Sequence, residues 1–314
     1  MTHVDGPVEA RTARREVSAC PICGGSTLDD GDVLRDHDTA EPFRSLRCED
    51  CWTTFLADPP VDAELGRYYE PHGEMSDPGA LFARLRSLKI AREIRPVTRL
   101  LRPGARVLDY GCGDGSMAAA FVAAGFPAVA ADTYDAADWS RDGIPYVQSV
   151  PGTPFADLIE AHGPFDAAVF RHVLEHLPDP VGVLRNLHDS GTEVVGLVVP
   201  NALAPSARLL GERWFYWDPP RHLYGFAPQS VNAMAAAAGF RVADLRVAGL
   251  DSLVTSAHRA VALGGGGALG AHGWRRAALR LTRPTGLLAA AASAAVAPVG
   301  SSILVAELVR RDRD

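Results

Sequence analysis

The sequence has no apolar run at its N-terminus and no lysine-rich stretch. Residues 1–17 are polar and of mixed charge, so we predict a disordered tail, no secretory signal and a cytoplasmic location. A formal charge of −7 over 314 residues argues against a nucleic-acid partner, because proteins that hold phosphates usually present a net basic surface. The few cysteines, five in all, do not fit a disulfide framework in that compartment.

Charge is absent over residues 284–306. The run is mostly alanine, glycine and serine, and Pro298 interrupts it. We predict a buried helix followed by a strand over residues 302–308. The alternative is a contact of this segment with a membrane surface or a lipid-linked substrate.

Strands and helices alternate from residue 105 onward, which is typical of a mostly parallel sheet covered on both faces. We therefore assign residues 103–314 to one α/β domain with an apolar insertion at about 257–300, and residues 59–102 to a helical linker or lid. The predicted strands are 106–110, 127–131, 144–148, 165–170, 194–199, 240–247 and 302–308. The predicted helices are 116–124, 155–161, 180–188 and 228–238.

The most specific pattern is a strand that leads into three alternating glycines, Val107-Leu108-Asp109-Tyr110-Gly111-Cys112-Gly113-Asp114-Gly115. Glycines let the backbone turn sharply against a ligand at the carboxyl edge of such a sheet. A dinucleotide fingerprint places its third glycine one residue later, where Ser116 stands. Asp109 would repel a pyrophosphate but suits a methionine ammonium group, and Asp132 ends the next strand, where it can accept ribose hydroxyls. The pattern favours S-adenosylmethionine over NAD.

Four cysteines form two C-x-x-C pairs in residues 18–58, the segment that we predict to be a separate metal-binding module. Four thiolates at such spacing close a tetrahedral structural zinc site. The predicted ligands are Cys20, Cys23, Cys48 and Cys51.

The glycine run resembles the first motif of class I S-adenosylmethionine-dependent methyltransferases. Residues 165–180 resemble their fourth-strand motif, residues 199–201 the end of their fifth strand, and residues 220–226 a substrate-side loop of bacterial small-molecule and sugar methyltransferases. The resemblance covers roughly residues 18–250. It implies a Rossmann-like fold with a mostly parallel seven-stranded sheet, helices on both faces and a small N-terminal zinc ribbon.

The resemblance also implies which residues contact the methyl donor. Arg171 and His172 would line the methionine side of S-adenosylmethionine, and Cys112 is interpreted as a small residue that fills the glycine turn. The complete expected set is Asp109, Gly111, Cys112, Gly113, Gly115, Asp132, Arg171 and His172.

Methyl transfer from a sulfonium requires an acceptor held in line with the methyl group. An acceptor that carries a proton also needs a base, and histidine titrates near neutral pH. The candidates are His222, His172 and His176, with Tyr224 as an assisting group. A hydrogen bond to the backbone is the alternative role for His176 or His222.

The resemblance implies a small-molecule acceptor, namely a sugar, a nucleotide-linked sugar, or an antibiotic or other secondary-metabolite intermediate. Two alternatives stay open. One is an RNA methyltransferase that uses its zinc ribbon as a docking module, and the other is a non-catalytic protein that keeps the cofactor fold as a scaffold. The sequence leaves the oligomeric state open.

Overall fold

A computed structural model describes residues 13–36, 38–68, 90–133, 135, 143–150, 152–248 and 302–311. Its larger sheet has seven strands. In chain order they are β4 (Val107–Tyr110), β5 (Ala128–Asp132), β6 (Tyr146–Gln148), β7 (Ala167–Arg171), β8 (Val194–Pro200), β10 (Phe240–Ala248) and β11 (Ile303–Arg310). All seven were predicted from the sequence, with ends that differ by at most two residues.

The strand order across this sheet is β10-β11-β8-β7-β4-β5-β6. Neighbouring strands are parallel from β8 to β6, whereas β11 runs antiparallel to both β8 and β10. The predicted fold class, a mostly parallel Rossmann-like α/β sheet, is therefore confirmed. The carboxyl ends of β4, β5 and β7 lie side by side at one edge, where such sheets place their ligands.

Helices cover the sheet on both sides. Strand β8 is buried along all seven of its residues, as expected for a strand packed on both faces. The helices are α2 (residues 90–98), α3 (Ser116–Ala123), α4 (Phe155–His162), α5 (Pro180–Asp189), α6 (Pro205–Leu210) and α7 (Pro228–Ala237). Only α6 lies where no helix was predicted, and Pro205 occupies its first turn, where a missing N–H is tolerated.

A second sheet of four strands holds the cysteine module. Its strands are β1 (Leu28–Arg35), β2 (Pro42–Cys48), β3 (Thr54–Leu56) and β9 (Tyr224–Gly225), and a short helix, α1 (Asp62–Leu65), follows β3. The pairing of β3 with β9 is antiparallel. Because β9 belongs to the predicted substrate-side loop, the module and the α/β domain contribute strands to one sheet.

The predicted tail ends earlier than residue 17. Residues 13–17 run alongside residues 57–61, with backbone hydrogen bonds from Arg15 N to Pro59 O and from Val17 N to Ala57 O, both 2.9 Å. Arg14 adds ion pairs with Glu41 and Asp58. The remainder of the predicted tail, residues 1–12, lies outside the described residues, as do residues 69–89 of the predicted lid and the whole 257–300 insertion.

No helix among the described residues is both long and apolar enough to cross a membrane. Of the uncharged 284–306 segment, the structure describes residues 302–306. Residues 303–306 are part of β11 and are buried, as the strand prediction required.

Candidate active site

The glycine loop joins β4 to α3 by a backbone path that L-residues rarely adopt. Gly111, Gly113 and Gly115 have φ of +72°, +53° and +68°. A Cβ added to Gly111 would lie 2.2 Å from a methyl carbon of Val173, whereas a Cβ on Gly113 would meet no atom within 4 Å. Gly111 is thus required by close packing against the neighbouring segment, and Gly113 presents bare backbone to open space.

Asp132 binds this loop from the end of β5. Its Oδ2 accepts a hydrogen bond of 2.7 Å from Gly113 N, and its Oδ1 accepts one of 2.7 Å from Thr133 N. The carboxylate is only partly buried. It therefore sits at the carboxyl edge of the sheet with acceptor capacity left for a ligand hydroxyl.

Asp109 lies below the loop. It is buried, and its Oδ2 accepts a hydrogen bond of 2.9 Å from Ala118 N in the first turn of α3. Burial raises the pKa of Asp109 to about 7, with the Ala118 N–H opposing the shift and Asp132 adding to it. This carboxyl connects the end of β4 to the first turn of α3, on either side of the glycine loop. The structure shows it against the protein backbone, so direct contact with a methionine ammonium group remains a prediction.

Cys112 fills the turn. Its side chain is buried, and burial followed by the nearby charges of Asp109 and Asp132 raises the pKa of its thiol. A nucleophilic cysteine needs a lowered pKa. The interpretation of Cys112 as a small packing residue fits these surroundings.

Arg171 and His172 come directly at the carboxyl end of β7, next to the glycine loop. Arg171 Nε donates a hydrogen bond of 2.9 Å to Glu93 in α2. His172 has φ of +56°, and its ring stacks on Tyr216 with centroids 5.7 Å apart and planes 10° apart. A non-glycine residue in this conformation carries strain that functional sites often retain.

Glu175 is the centre of a histidine cluster that the sequence motif alone did not locate. Its side chain is fully buried in the 3-10 turn Leu174–His176, and His172 Nδ1 lies 3.5 Å from its Oε1. Burial opposes its ionisation, but the neighbouring imidazoles, His172 first and then His176 and His222, outweigh burial and hold the pKa of Glu175 below its ordinary value. Three predicted catalytic residues are thus gathered around one carboxylate.

His176 and His222 stand edge to face with ring centroids 4.5 Å apart. His176 Nδ1 is 3.1 Å from Arg221 O, and His222 Nδ1 is 2.8 Å from Tyr216 O. A carbonyl can only accept, so each Nδ1 carries the proton. Burial and the neighbouring His222 lower the pKa of His176 to about 4. The backbone hydrogen bonds considered as an alternative are present in both residues.

Tyr224 is less accessible than predicted for an assisting group. It is buried in β9, and its hydroxyl donates a hydrogen bond of 2.9 Å to Pro178 O. Gly225 beside it touches the indole of Trp217, since a Cβ there would overlap that ring. This contact explains a glycine at the position.

Arg221 connects the loop to the cysteine module. Its guanidinium bonds Asp218 through two nitrogens, Asp36 Oδ1 at 3.0 Å and Tyr68 O at 3.0 Å. The Arg221 side chain is 8% exposed and that of Asp36 0%. Arg221, the neighbour of His222, is therefore held by Asp36 of the module and by Tyr68 of the segment that follows the module.

The four predicted metal ligands come together. The sulfur atoms of all four cysteines lie within 4.8 Å of one another, with Cys20 and Cys51 at 3.5 Å and Cys23 and Cys48 at 3.5 Å. A tetrahedral zinc ion with Zn–S of about 2.3 Å separates its sulfurs by about 3.8 Å. The set fits a structural Zn²⁺ ion held by Cys20, Cys23, Cys48 and Cys51.

Comparison with known families decides the identity of this arrangement. A family model described as a methyltransferase domain matches residues 82–245, which is more than half of the chain. The chain belongs to the methyltransferase family. Its fold is that expected of the class I, S-adenosylmethionine-dependent type, and its glycine loop leaves open space beside Gly113, next to the partly buried carboxylate of Asp132. The cofactor contacts of these residues stay a prediction.

Curated relatives match a shorter stretch. An enzyme named ubiquinone biosynthesis O-methyltransferase, from Xanthomonas campestris pv. campestris strain B100, is 36% identical over 97 residues. The match covers 28% of this methyltransferase and 38% of the relative, so the chain spans well under half the length of that relative.

Solved structures give weaker likenesses. A S-adenosylmethionine-dependent methyltransferase from Archaeoglobus fulgidus is 15% identical, with a TM-score of 0.45, over 71% of this chain and 94% of its own. Burkholderia thailandensis 1,6-didemethyltoxoflavin-N1-methyltransferase is 18% identical, with a TM-score of 0.40, over 84% and 98% of the two chains.

Proposed function

We propose that this protein is an enzyme that transfers the methyl group of S-adenosylmethionine to a hydroxyl-bearing small molecule, in the class of sugars, nucleotide-linked sugars or secondary-metabolite intermediates. When bound, S-adenosylmethionine supplies an activated methyl group on its sulfonium. Residues Gly111 to Gly115 and Asp132 would hold it. The name of the Xanthomonas relative, an O-methyltransferase, supports an oxygen acceptor.

The observation that carries the proposal is the buried Glu175–His172 pair at the carboxyl end of β7. The negative charge of Glu175, 3.5 Å from His172 Nδ1, favours the tautomer with the proton on that nitrogen. Nε2 of His172 then has a lone pair that can remove a proton from the acceptor. The His172 side chain is 28% exposed. Its left-handed backbone and its stacking on Tyr216 fix the direction of the ring.

We assign the base to His172 rather than to the other predicted residues. His176 is half-buried, and burial together with the neighbouring His222 lowers its pKa to about 4, which makes it a weak proton acceptor. The hydroxyl of Tyr224 already donates to Pro178 O. His222 Nδ1 donates to the backbone in the aromatic loop, and its role is taken up below.

The position of the cysteine module supports a small acceptor, because the module is held against the loop that carries His222. Strand β3 pairs with β9, Leu56 N donates to Leu223 O at 3.1 Å, and Ser230 Oγ donates to Cys51 O at 3.0 Å. A module held in this way would restrict the space that an acceptor can occupy beside His222. A separate docking domain for RNA would not need these contacts.

Two experiments test the proposal together. Protein incubated with methyl-labelled S-adenosylmethionine and an extract of its host should place label in the small-molecule fraction. His172→Ala should lose at least about 100-fold in turnover, the scale of a general base, while its affinity for S-adenosylhomocysteine changes little.

The matched control is His162→Ala, because His162 is an exposed histidine at the end of α4. It should keep the activity of the natural chain. Label in RNA or protein would contradict the small acceptor, and full turnover by His172→Ala would contradict the assignment of the base.

A further inference from the structure

Glu175, His176 and His222 form a second group of potential metal ligands, separate from the four cysteines. Their donor atoms all lie within 4.8 Å of one another. Two come from the 3-10 turn after β7, and the third comes from the loop before β9. The fold therefore brings two imidazoles and one carboxylate together from distant parts of the chain.

Glu175 points to a bound ligand. The residue is 0% exposed, and among the described residues neither carboxylate oxygen has a hydrogen-bond partner. The nearest ion-pairing atom is His172 Nδ1 at 3.5 Å, which is longer than a charge-assisted hydrogen bond. An ionised carboxylate that is buried without such partners is strongly destabilising unless a cation is bound.

The two histidines are oriented as metal-binding histidines usually are. Each donates its Nδ1 proton to a backbone carbonyl, at 3.1 Å for His176 and 2.8 Å for His222. A ligating histidine commonly makes such a bond with its second nitrogen, which fixes the ring and leaves Nε2 with a lone pair.

We propose that Glu175, His176 and His222 bind a divalent first-row cation, such as Mn²⁺ or Zn²⁺, in the acceptor site. Two imidazole nitrogens and one carboxylate oxygen suit such ions, and three protein ligands leave positions open for a substrate. Ligands at about 2.1 Å from one ion lie roughly 3.0–3.5 Å apart. The donor atoms, which lie within 4.8 Å of one another, would move closer together around a bound ion.

The cation would fix the acceptor by one of its oxygens beside His172, and would lower the pKa of that hydroxyl. This role rests on the proposed function, whereas the binding of the ion does not. The four-cysteine site cannot serve in this way, because four thiolates leave no open position. The two sites also differ in chemistry, since the second has only nitrogen and oxygen donors.

The test uses the full chain with its cysteine site filled by Zn²⁺. Mn²⁺ is titrated in, and the free ion is followed by electron paramagnetic resonance. We expect one bound Mn²⁺ per chain. Glu175→Gln and His222→Ala should each weaken binding by more than about 100-fold, since the loss of a supporting residue alone costs 10- to 100-fold.

Control variants separate loss of the site from loss of the fold. His162→Ala should bind Mn²⁺ as the natural chain does. His222 is only partly buried, so His222→Ala should keep the circular dichroism spectrum and the affinity for S-adenosylhomocysteine. Equal Mn²⁺ binding by the natural chain and His222→Ala, or none by either, would overturn the proposal. Mn²⁺ binding without methyl transfer would uphold the site and contradict the proposed function.

Discussion

Arg221→Met should destabilise the protein by leaving buried acids without their cation. The guanidinium is the shared partner of Asp36 and Asp218 and also donates to Tyr68 O. Methionine keeps most of the side-chain volume and removes the charge. The cysteine module then loses its ionic connection to the loop that carries His222.

The magnitude follows from the burial of each acid. Removing one partner of a buried ion pair costs about 3–5 kcal/mol, because the other charge is left desolvated. Asp218 is 27% exposed and can regain water, whereas Asp36 is 0% exposed. Asp36 Oδ2 keeps two donors from Thr39, at 2.8 and 2.6 Å. We therefore expect the lower end, about 3 kcal/mol.

Urea unfolding followed by fluorescence at pH 7 measures the change. The control is Arg47→Met in the same module, which breaks an exposed pair with Asp29 at 2.6 Å and should cost under about 1 kcal/mol. Adding Asp36→Asn to Arg221→Met should restore at least about 1 kcal/mol through their coupling. If Arg221→Met costs no more than Arg47→Met, or the double variant is additive, the argument is refuted.

Two further predictions concern the glycine loop. Gly111→Ala should weaken the binding of S-adenosylhomocysteine, measured by calorimetry, because the added Cβ overlaps Val173. The control is Gly104→Ala, since Gly104 has a similar φ of +75° but an added Cβ there would meet no atom within 4 Å. This control should leave binding unchanged. The second uses Asp109, whose pKa burial raises to about 7. Between about pH 4 and 7 the folded chain holds a proton that the unfolded chain has released, so rising pH lowers stability there. Asn cannot titrate, so the free energy of unfolding of Asp109→Asn, measured in urea, should rise relative to that of the natural chain as the pH increases from about 4 to about 7. A difference between the two chains that stays constant over this pH range would contradict the prediction.

The sequence predicted the sheet well because its strands are continuous apolar runs bounded by glycine and proline. Strand β8 is an example: Val194–Pro200 is buried throughout and ends at a proline. The clustering of the four cysteines was predicted equally well, because two C-x-x-C pairs are the usual spacing of ligands in a tetrahedral zinc site. Helix α6 was missed because its six residues are too short to show a helical period.

The histidine cluster was predicted only as separate candidates. Residues 172, 175 and 176 are close in sequence, but no local pattern shows that His222 meets them or that Glu175 is buried among them. The pairing of β3 with β9 was also invisible, because β9 has two residues and its partner lies about 170 positions away. Such contacts depend on how loops pack, which local periodicity does not encode.

The sequence by itself determined the fold class, the glycine loop, the acid Asp132 at the end of β5 and the four cysteine ligands. Each is set by a short local pattern whose backbone or ligand requirement is met within a few residues. Tertiary structure alone decided that Asp109 lies under the loop, that Arg221 binds the cysteine module, and that three histidines surround Glu175. Those arrangements form where segments that are distant in sequence pack against one another. There the burial of each side chain and the charges around it determine what the side chain can do.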